Sequence, residues 1–301
     1  MERVEVPFGS HGLVCRAWRY APAVADGAAS DRRPCVVMAH GFGATRDASL
    51  APYAERFAAA GMHVLLFDYR HFGASDGLPR QLVSVRRQLQ DYAAAVEFAR
   101  ALSGVDPGRV AVWGTSFSGG HALVTAATVP GVAAAICQCP MMDGLAAVRR
   151  ILEYAGARQL LRLTGHGLLD LALAPFRRAH YVRTVGPPGS LAVMSSDDAE
   201  AGYRALLPPD AYVEVAARIA LAVAFYRPVS LAHRVRCPVL VQVCGRDSVA
   251  PVAAAERTVT ALGDRAEVRR YAIGHFEPYV GEHFERSVSD QLEFLRARLA
   301  P

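Results

Sequence analysis

The chain lacks several features that would settle its class at once. No uninterrupted apolar stretch reaches the roughly 20 residues that a bilayer-spanning helix needs, so no membrane span is expected. The N-terminus, Met1-Glu2-Arg3-Val4-Glu5-Val6, has no basic region leading into an apolar core, and it does not read as a signal peptide. Arginine occurs in pairs, such as Arg32-Arg33, Arg86-Arg87, Arg149-Arg150 and Arg177-Arg178, but no basic run is interleaved with aromatics. These pairs read as solvated faces, and nucleic acid is not expected as a partner. Cysteine is sparse and dispersed, at 15, 35, 137, 139, 237 and 244, with no metal-ligand cluster beside it. Four of the six sit inside apolar strand-like runs. They read as buried, reduced thiols of a cytoplasmic protein with no metal site. Internal repeats and low-complexity linkers are also missing.

What is present is enough apolar material for a large core. Of 301 residues, 52% are hydrophobic, which suits one large α/β domain or a core carrying an inserted cap. Arg3 to Phe8 and Leu13 to Tyr20 alternate like the strands of a hairpin, and Ala21 to Arg33 reads as a surface loop. Cys35–Ala39, His63–Phe67, Arg109–Trp113, Val132–Cys139, Val239–Val243 and Ala266–Ile273 read as strands. Helical patterns cover Pro52–Ala60, Val83–Leu102, Pro251–Leu262 and Pro278–Leu299. Strands alternating with helices predict a parallel sheet with helices on both faces, whose functional crevice lies at the carboxyl ends of the strands. Between Met141 and Val235 the rhythm breaks into helical stretches interrupted by Gly186-Pro187-Pro188-Gly189 and Pro208-Pro209. The expected organisation is therefore a core of residues 1–140 and 236–301 with a helical cap over residues 141–235.

The stretch around Ser116 organises this frame. The apolar run ending at Trp113 passes through Gly114-Thr115-Ser116-Phe117-Ser118-Gly119-Gly120-His121 into a helical pattern that starts through Ala122, Leu123 and Val124. A serine lifted on a tight strand-to-helix turn needs small neighbours, because its backbone takes an unusual conformation. A serine hydroxyl is a poor nucleophile until an oriented base removes its proton. His275 follows the strand that ends near Ile273, and Asp247 follows the strand that ends at Val243, so base and acid candidates both fall at strand ends. Asp143, after the strand closed by Pro140, is the second choice for the acid. Transition-state charge needs donors, and the N–H groups of Phe42 and Phe117 are the candidates. Asp68 and His71 lie near a strand end and could line the pocket, but loop roles suit them better. His166 and His180 fall within the cap, as do the apolar residues of Leu160–Phe176 and Ile219–Phe225, some of which could line an acyl pocket.

The chain resembles the serine α/β-hydrolases along most of its length. The resemblance rests on His40-Gly41-Phe42-Gly43, Asp68-Tyr69-Arg70-His71-Phe72-Gly73-Ala74-Ser75, the Ser116 elbow, Gly245-Arg246-Asp247 and Gly274-His275-Phe276. The elbow is G-x-S-x-S, where the family usually has a second glycine. The resemblance implies an eight-stranded, mostly parallel sheet, a Ser116–Asp247–His275 triad and no cofactor. The expected activity is hydrolysis of a carboxylic ester or thioester with an apolar portion, a small-molecule acyl substrate. The same triad would serve a C–C hydrolase or an acyltransferase, and the fold also occurs in non-catalytic ligand-binding proteins. The sequence leaves open whether the chain forms a homo-oligomer.

Overall fold

The computed structural model describes residues 3–22 and 32–300, so most of the surface loop expected over 21–33 lies outside the described residues. The strands are β1 (Arg3–Ser10), β2 (Leu13–Tyr20), β3 (Arg33–Ala39), β4 (His63–Phe67), β5 (Val105–Thr115), β6 (Ala134–Gln138), β7 (Tyr181–Val185), β8 (Ala192–Met194), β9 (Glu214–Ala216), β10 (Val239–Cys244) and β11 (Ala266–Tyr271). The α-helices are α1 (Ala51–Ala59), α2 (Val85–Ala101), α3 (Phe117–Thr128), α4 (Gly144–Leu173), α5 (Ala199–Leu206), α6 (Ile219–Ala222), α7 (Val252–Leu262) and α8 (Gly281–Arg298).

Eight strands form one sheet in the order β1-β2-β4-β3-β5-β6-β10-β11. The pairs β1–β2 and β2–β4 are antiparallel, and the remaining pairs are parallel. This is the α/β-hydrolase fold. The central strands are apolar without alternation because helices cover both faces, so every residue of β4, β6 and β10 is buried. Alternate residues still feed different cores. Val36 and Met38 join Phe57 of α1 and Leu292 of α8, whereas Cys35, Val37 and Ala39 join Tyr92 of α2, Leu123 of α3 and Ala254 of α7. All six cysteines are buried and free.

The parallel strands end along one edge, and there β3, β5, β6, β10 and β11 release the loops that carry Phe42, Ser116, Asp143, Asp247 and His275. The segment between β6 and β10 holds α4, α5 and α6. It also holds a second, three-stranded sheet, β8-β7-β9, which the helical expectation missed. Two of these strands are three residues long, too short to display a period-2 alternation.

Candidate active site

The turn from β5 into α3 gives Ser116 its position. Ser116 has φ +56° and ψ −120°, a backbone conformation that L-residues adopt only under local constraint. Gly114 allows the turn, since a Cβ there would collide with the Ser118 carbonyl group. Gly119 lies against Pro140, and Gly120 against Met141 and Pro228, so α3 packs closely where a side chain would hold it off. The second serine of the elbow has a partner elsewhere. The Oγ of Ser118 is wholly buried and lies 2.7 Å from the Tyr69 hydroxyl. A glycine at 118 is therefore not needed for close approach.

His275 and Asp247 meet Ser116 in one hydrogen-bonded chain. Nε2 of His275 lies 2.9 Å from Ser116 Oγ, and Nδ1 lies 2.6 Å from Asp247 Oδ2. With Nδ1–H donating to the carboxylate, Nε2 is the nitrogen free to accept the serine proton. The Asp247 carboxylate is held in turn, its Oδ1 accepting from the N–H groups of Val249 and Ala250. His275 is 3% exposed. Burial opposes its protonation, but the Asp247 charge and hydrogen bond outweigh that and push its pKa up to about 9.

The loop after β3 lies against the same hydroxyl. A Cβ on Gly41 would stand 3.3 Å from Ser116 Cβ and 3.9 Å from its Oγ, so a side chain there would crowd the serine. The Phe42 ring packs edge-on against Phe117 at 5.4 Å between centroids, and the Phe42 carbonyl accepts a hydrogen bond of 2.9 Å from the Tyr203 hydroxyl. Phe117 is the first residue of α3, so its N–H has no acceptor within the helix. His40 is buried beneath this loop, its ring against Tyr69 and Phe72.

The other candidates sit apart. Asp143 caps α4, accepting from Leu145 and Ala146 N–H, and pairs with Arg227 and Arg257 at 3.0 and 3.1 Å. Asp68 is buried and ties its own loop, through Ala74 N–H, to the loop after β3, through Arg46. His71 bonds to the Pro79 carbonyl and to Arg87. His166 and His180 pair with each other at 2.6 Å within the insertion.

A small apolar cavity of about 30 Å³ opens beside Ser116 and His275. Its walls include Leu50, Met194, Tyr203, Leu206, Phe276 and Tyr279. The residues it draws from the insertion are thus on β8 and α5, and neither Leu160–Phe176 nor Ile219–Phe225 contributes. Sequence reasoning missed Tyr203 and Tyr279. The short helix α5 has buried residues at 199, 203 and 206, a helical spacing that was readable, but nothing local says what that face touches. α5 is tied to both sides of the site. Leu206 C=O accepts from Ser49 Oγ at 2.9 Å, Asp198 accepts from Ser248 next to Asp247, and Gly202 leaves room for the Phe276 ring. Tyr279 bonds through its hydroxyl to Thr115, the residue before Ser116.

Comparison with known proteins agrees with the fold. The sequence model of the family described as serine aminopeptidase, S33, matches residues 30–275. The quorum-quenching protein AidA of Acinetobacter baumannii is 42% identical over 301 residues, covering 99% of this chain and 95% of that one. The thiohydrolase aneE of Aspergillus aculeatus is 42% identical over 110 residues, about a third of each chain (36% and 35%). The crystal structure of the α/β-hydrolase GrgF from a Penicillium species superposes with a TM-score of 0.83 over 100% of both chains, at 25% identity.

Proposed function

The chain belongs to the serine aminopeptidase S33 family of α/β-hydrolases, and from that premise we propose that it is a serine hydrolase acting on carboxylic esters or thioesters with an apolar acyl portion. The observation that carries the reading is the Ser116–His275–Asp247 hydrogen-bonded chain at the wall of an apolar cavity. In this mechanism Ser116 Oγ attacks the substrate carbonyl while His275 Nε2 takes the hydroxyl proton. Asp247 keeps Nδ1 protonated and stabilises the imidazolium. The N–H groups of Phe42 and Phe117 receive the oxyanion. His275 then gives the proton to the leaving alkoxide or thiolate, which departs and leaves an acyl-serine. A water molecule, deprotonated by the same histidine, releases the acid.

The cavity supports an apolar acyl group. No carboxylate is among the side chains that line it, so a free amino terminus would find no counter-charge there. The printed names of relatives, thiohydrolase and polyketide transferase among them, fit acyl transfer chemistry on ester or thioester carbonyls. The transferase names favour a second reading, in which an alcohol or amine replaces water in the deacylation step. Residues 141–235 act as the cap that selects the acyl group, through Met194, Tyr203 and Leu206.

The test has two parts. A fluorophosphonate probe should label Ser116 and no other residue in the folded protein. Over a homologous series of acyl esters and thioesters kcat/KM should rise with chain length, by the factor that corresponds to about 0.8 kcal/mol per buried methylene, until the cavity is filled. Substituting Met194 or Leu206 should move the optimum. Folded protein that the probe does not label would sink the hydrolase reading in favour of a binding protein. A flat profile that no cap substitution alters would sink the cap's role.

A further inference from the structure

The second half of α4 is built inside out. Gly156, with φ +75°, breaks the helix, and residues 157–173 form a separate rod about 25 Å long. The face it turns to the protein carries Gln159, Leu163, Gly167 and Asp170, all buried. Gln159 donates to the carbonyls of Ser190 and Ala192, and Asp170 is held by Arg218. The opposite face is exposed and apolar. Leu161 is 72% exposed and Leu168 56%, and Leu169 and Leu171 flank them. A helix normally does the reverse, because burying leucine is the main favourable term and leaving it in water forfeits it. Among the described residues nothing covers this face.

We propose that this face is a two-fold interface between copies of the chain, with residues 157–173 pairing antiparallel to the same helix of a second copy. Three observations favour a second copy. The exposed seam runs Leu161, Gly165, Leu168, Ala172, a spacing of four, three and four residues, which is the seam of paired helices. In an antiparallel pairing centred between 166 and 167, Leu161 faces Ala172 and Gly165 faces Leu168, so a large side chain meets a small one in every layer. Gly165 has open space around it, ready to admit a leucine.

The charges fit the same arrangement. The exposed charged side chains from 154 to 180 are Arg158, Arg162, Arg177 and Arg178. A parallel pairing would set arginine on arginine. The antiparallel one sets Arg158 opposite Pro175 and Arg162 opposite Leu171. An anionic lipid surface would accept the arginines and leucines too, but it has no use for the alternation of large and small residues.

The experiment is sedimentation velocity on the full chain over a wide concentration range. Wild type should sediment as a dimer of the 32.3 kDa chain. Leu168→Arg, at an exposed position that leaves the core untouched, should weaken the dimer by about a hundredfold or more while keeping the wild-type circular dichroism spectrum. The double variant Leu161→Cys/Ala172→Cys should form a covalent dimer under mild oxidation, as antiparallel pairing requires. A wild type that stays monomeric throughout, or a dimer indifferent to Leu168→Arg, overturns the proposal. So does a monomer that binds phosphatidylglycerol-containing vesicles through this face. Neither result bears on whether the probe labels Ser116, so this inference and the proposed activity fail separately.

Discussion

Two serines stand two positions apart on the same turn, and their surroundings give them different work. Ser116 has the strained backbone and His275 for a partner; Ser118 has Tyr69. Ser116→Ala should abolish turnover and probe labelling without lowering stability. Ser118→Ala should keep labelling at Ser116 and cost about 1–3 kcal/mol, because it leaves the buried Tyr69 hydroxyl without a partner. Mass spectrometry of the labelled peptide and urea melts read the two outcomes. The raised pKa of His275 makes a second prediction at this scale. The base works when neutral, so the acylation rate should fall as pH drops through a midpoint above 6.5, towards about 9. Asp247→Asn removes the charge that raises it, so the midpoint should move down while kcat falls roughly 10³- to 10⁴-fold. Asp143→Asn, which touches only the α4 cap and two arginines, should leave that limb in place and lower stability instead. A dead Asp143→Asn beside an active Asp247→Asn would reverse the assignment of the acid.

At the scale of elements, the site is held by pieces distant in sequence. α5 grips the loop carrying Phe42 through the Tyr203 hydroxyl. Tyr203→Phe frees the Phe42 carbonyl and loosens the proposed oxyanion donor beside it. The expected result is a fall in kcat of between about tenfold and a hundredfold with little change in KM, measured on one ester under saturating conditions. Below the sheet edge a buried amide network plays a similar part. Gln291 of α8 donates to Gln138 at 2.7 Å and to Gln242 at 2.6 Å, and accepts from Trp113 Nε1 at 2.9 Å. Gln138 donates in turn to Thr115, which neighbours Ser116. Gln291→Leu strands several buried polar groups together and should cost more than the 1–3 kcal/mol of a single lost partner, read from a shift in the urea midpoint at constant slope.

For the whole molecule, buried histidines set the acid limit of stability. Burial lowers the pKa of His40 and of His71 to about 4 and that of His121 to about 3. The unfolded chain protonates these rings near 6.5, so between there and about 4 it binds more protons than the native state. Stability should therefore fall as pH drops through that window, by up to about 1.4 kcal/mol per pH unit for each histidine. Asp68 and Asp91, whose burial pushes their pKa up, act in the opposite sense at the acid end. His275 acts at the other limit. Its raised pKa contributes stability that is full below 6.5 and is lost as pH rises towards about 9. Urea melts of wild type and His121→Gln between pH 4 and 9 would show both slopes. An unchanged acid slope in the variant would remove His121 from the account.

The sequence by itself determined the sheet, its order of strand and helix, and the sites where loops leave its carboxyl edge. Those are local matters: unbroken apolar runs, glycines at the turns and helical spacing in between. Small residues around Ser116 and the positions of Asp247 and His275 just past strand ends were legible for the same reason. Only the tertiary structure decided which acid lies beside His275, because Asp143 and Asp247 both follow strands and differ in what packs against them. It also decided that β8 and α5, rather than the leucine-rich helix, wall the cavity. A leucine's spacing shows that its helix has an apolar face, but what that face meets depends on the folding of the chain around it. In α4 the polar face turned inwards, where Asp170 found Arg218 and Gln159 found two carbonyls, and the leucines were left outside.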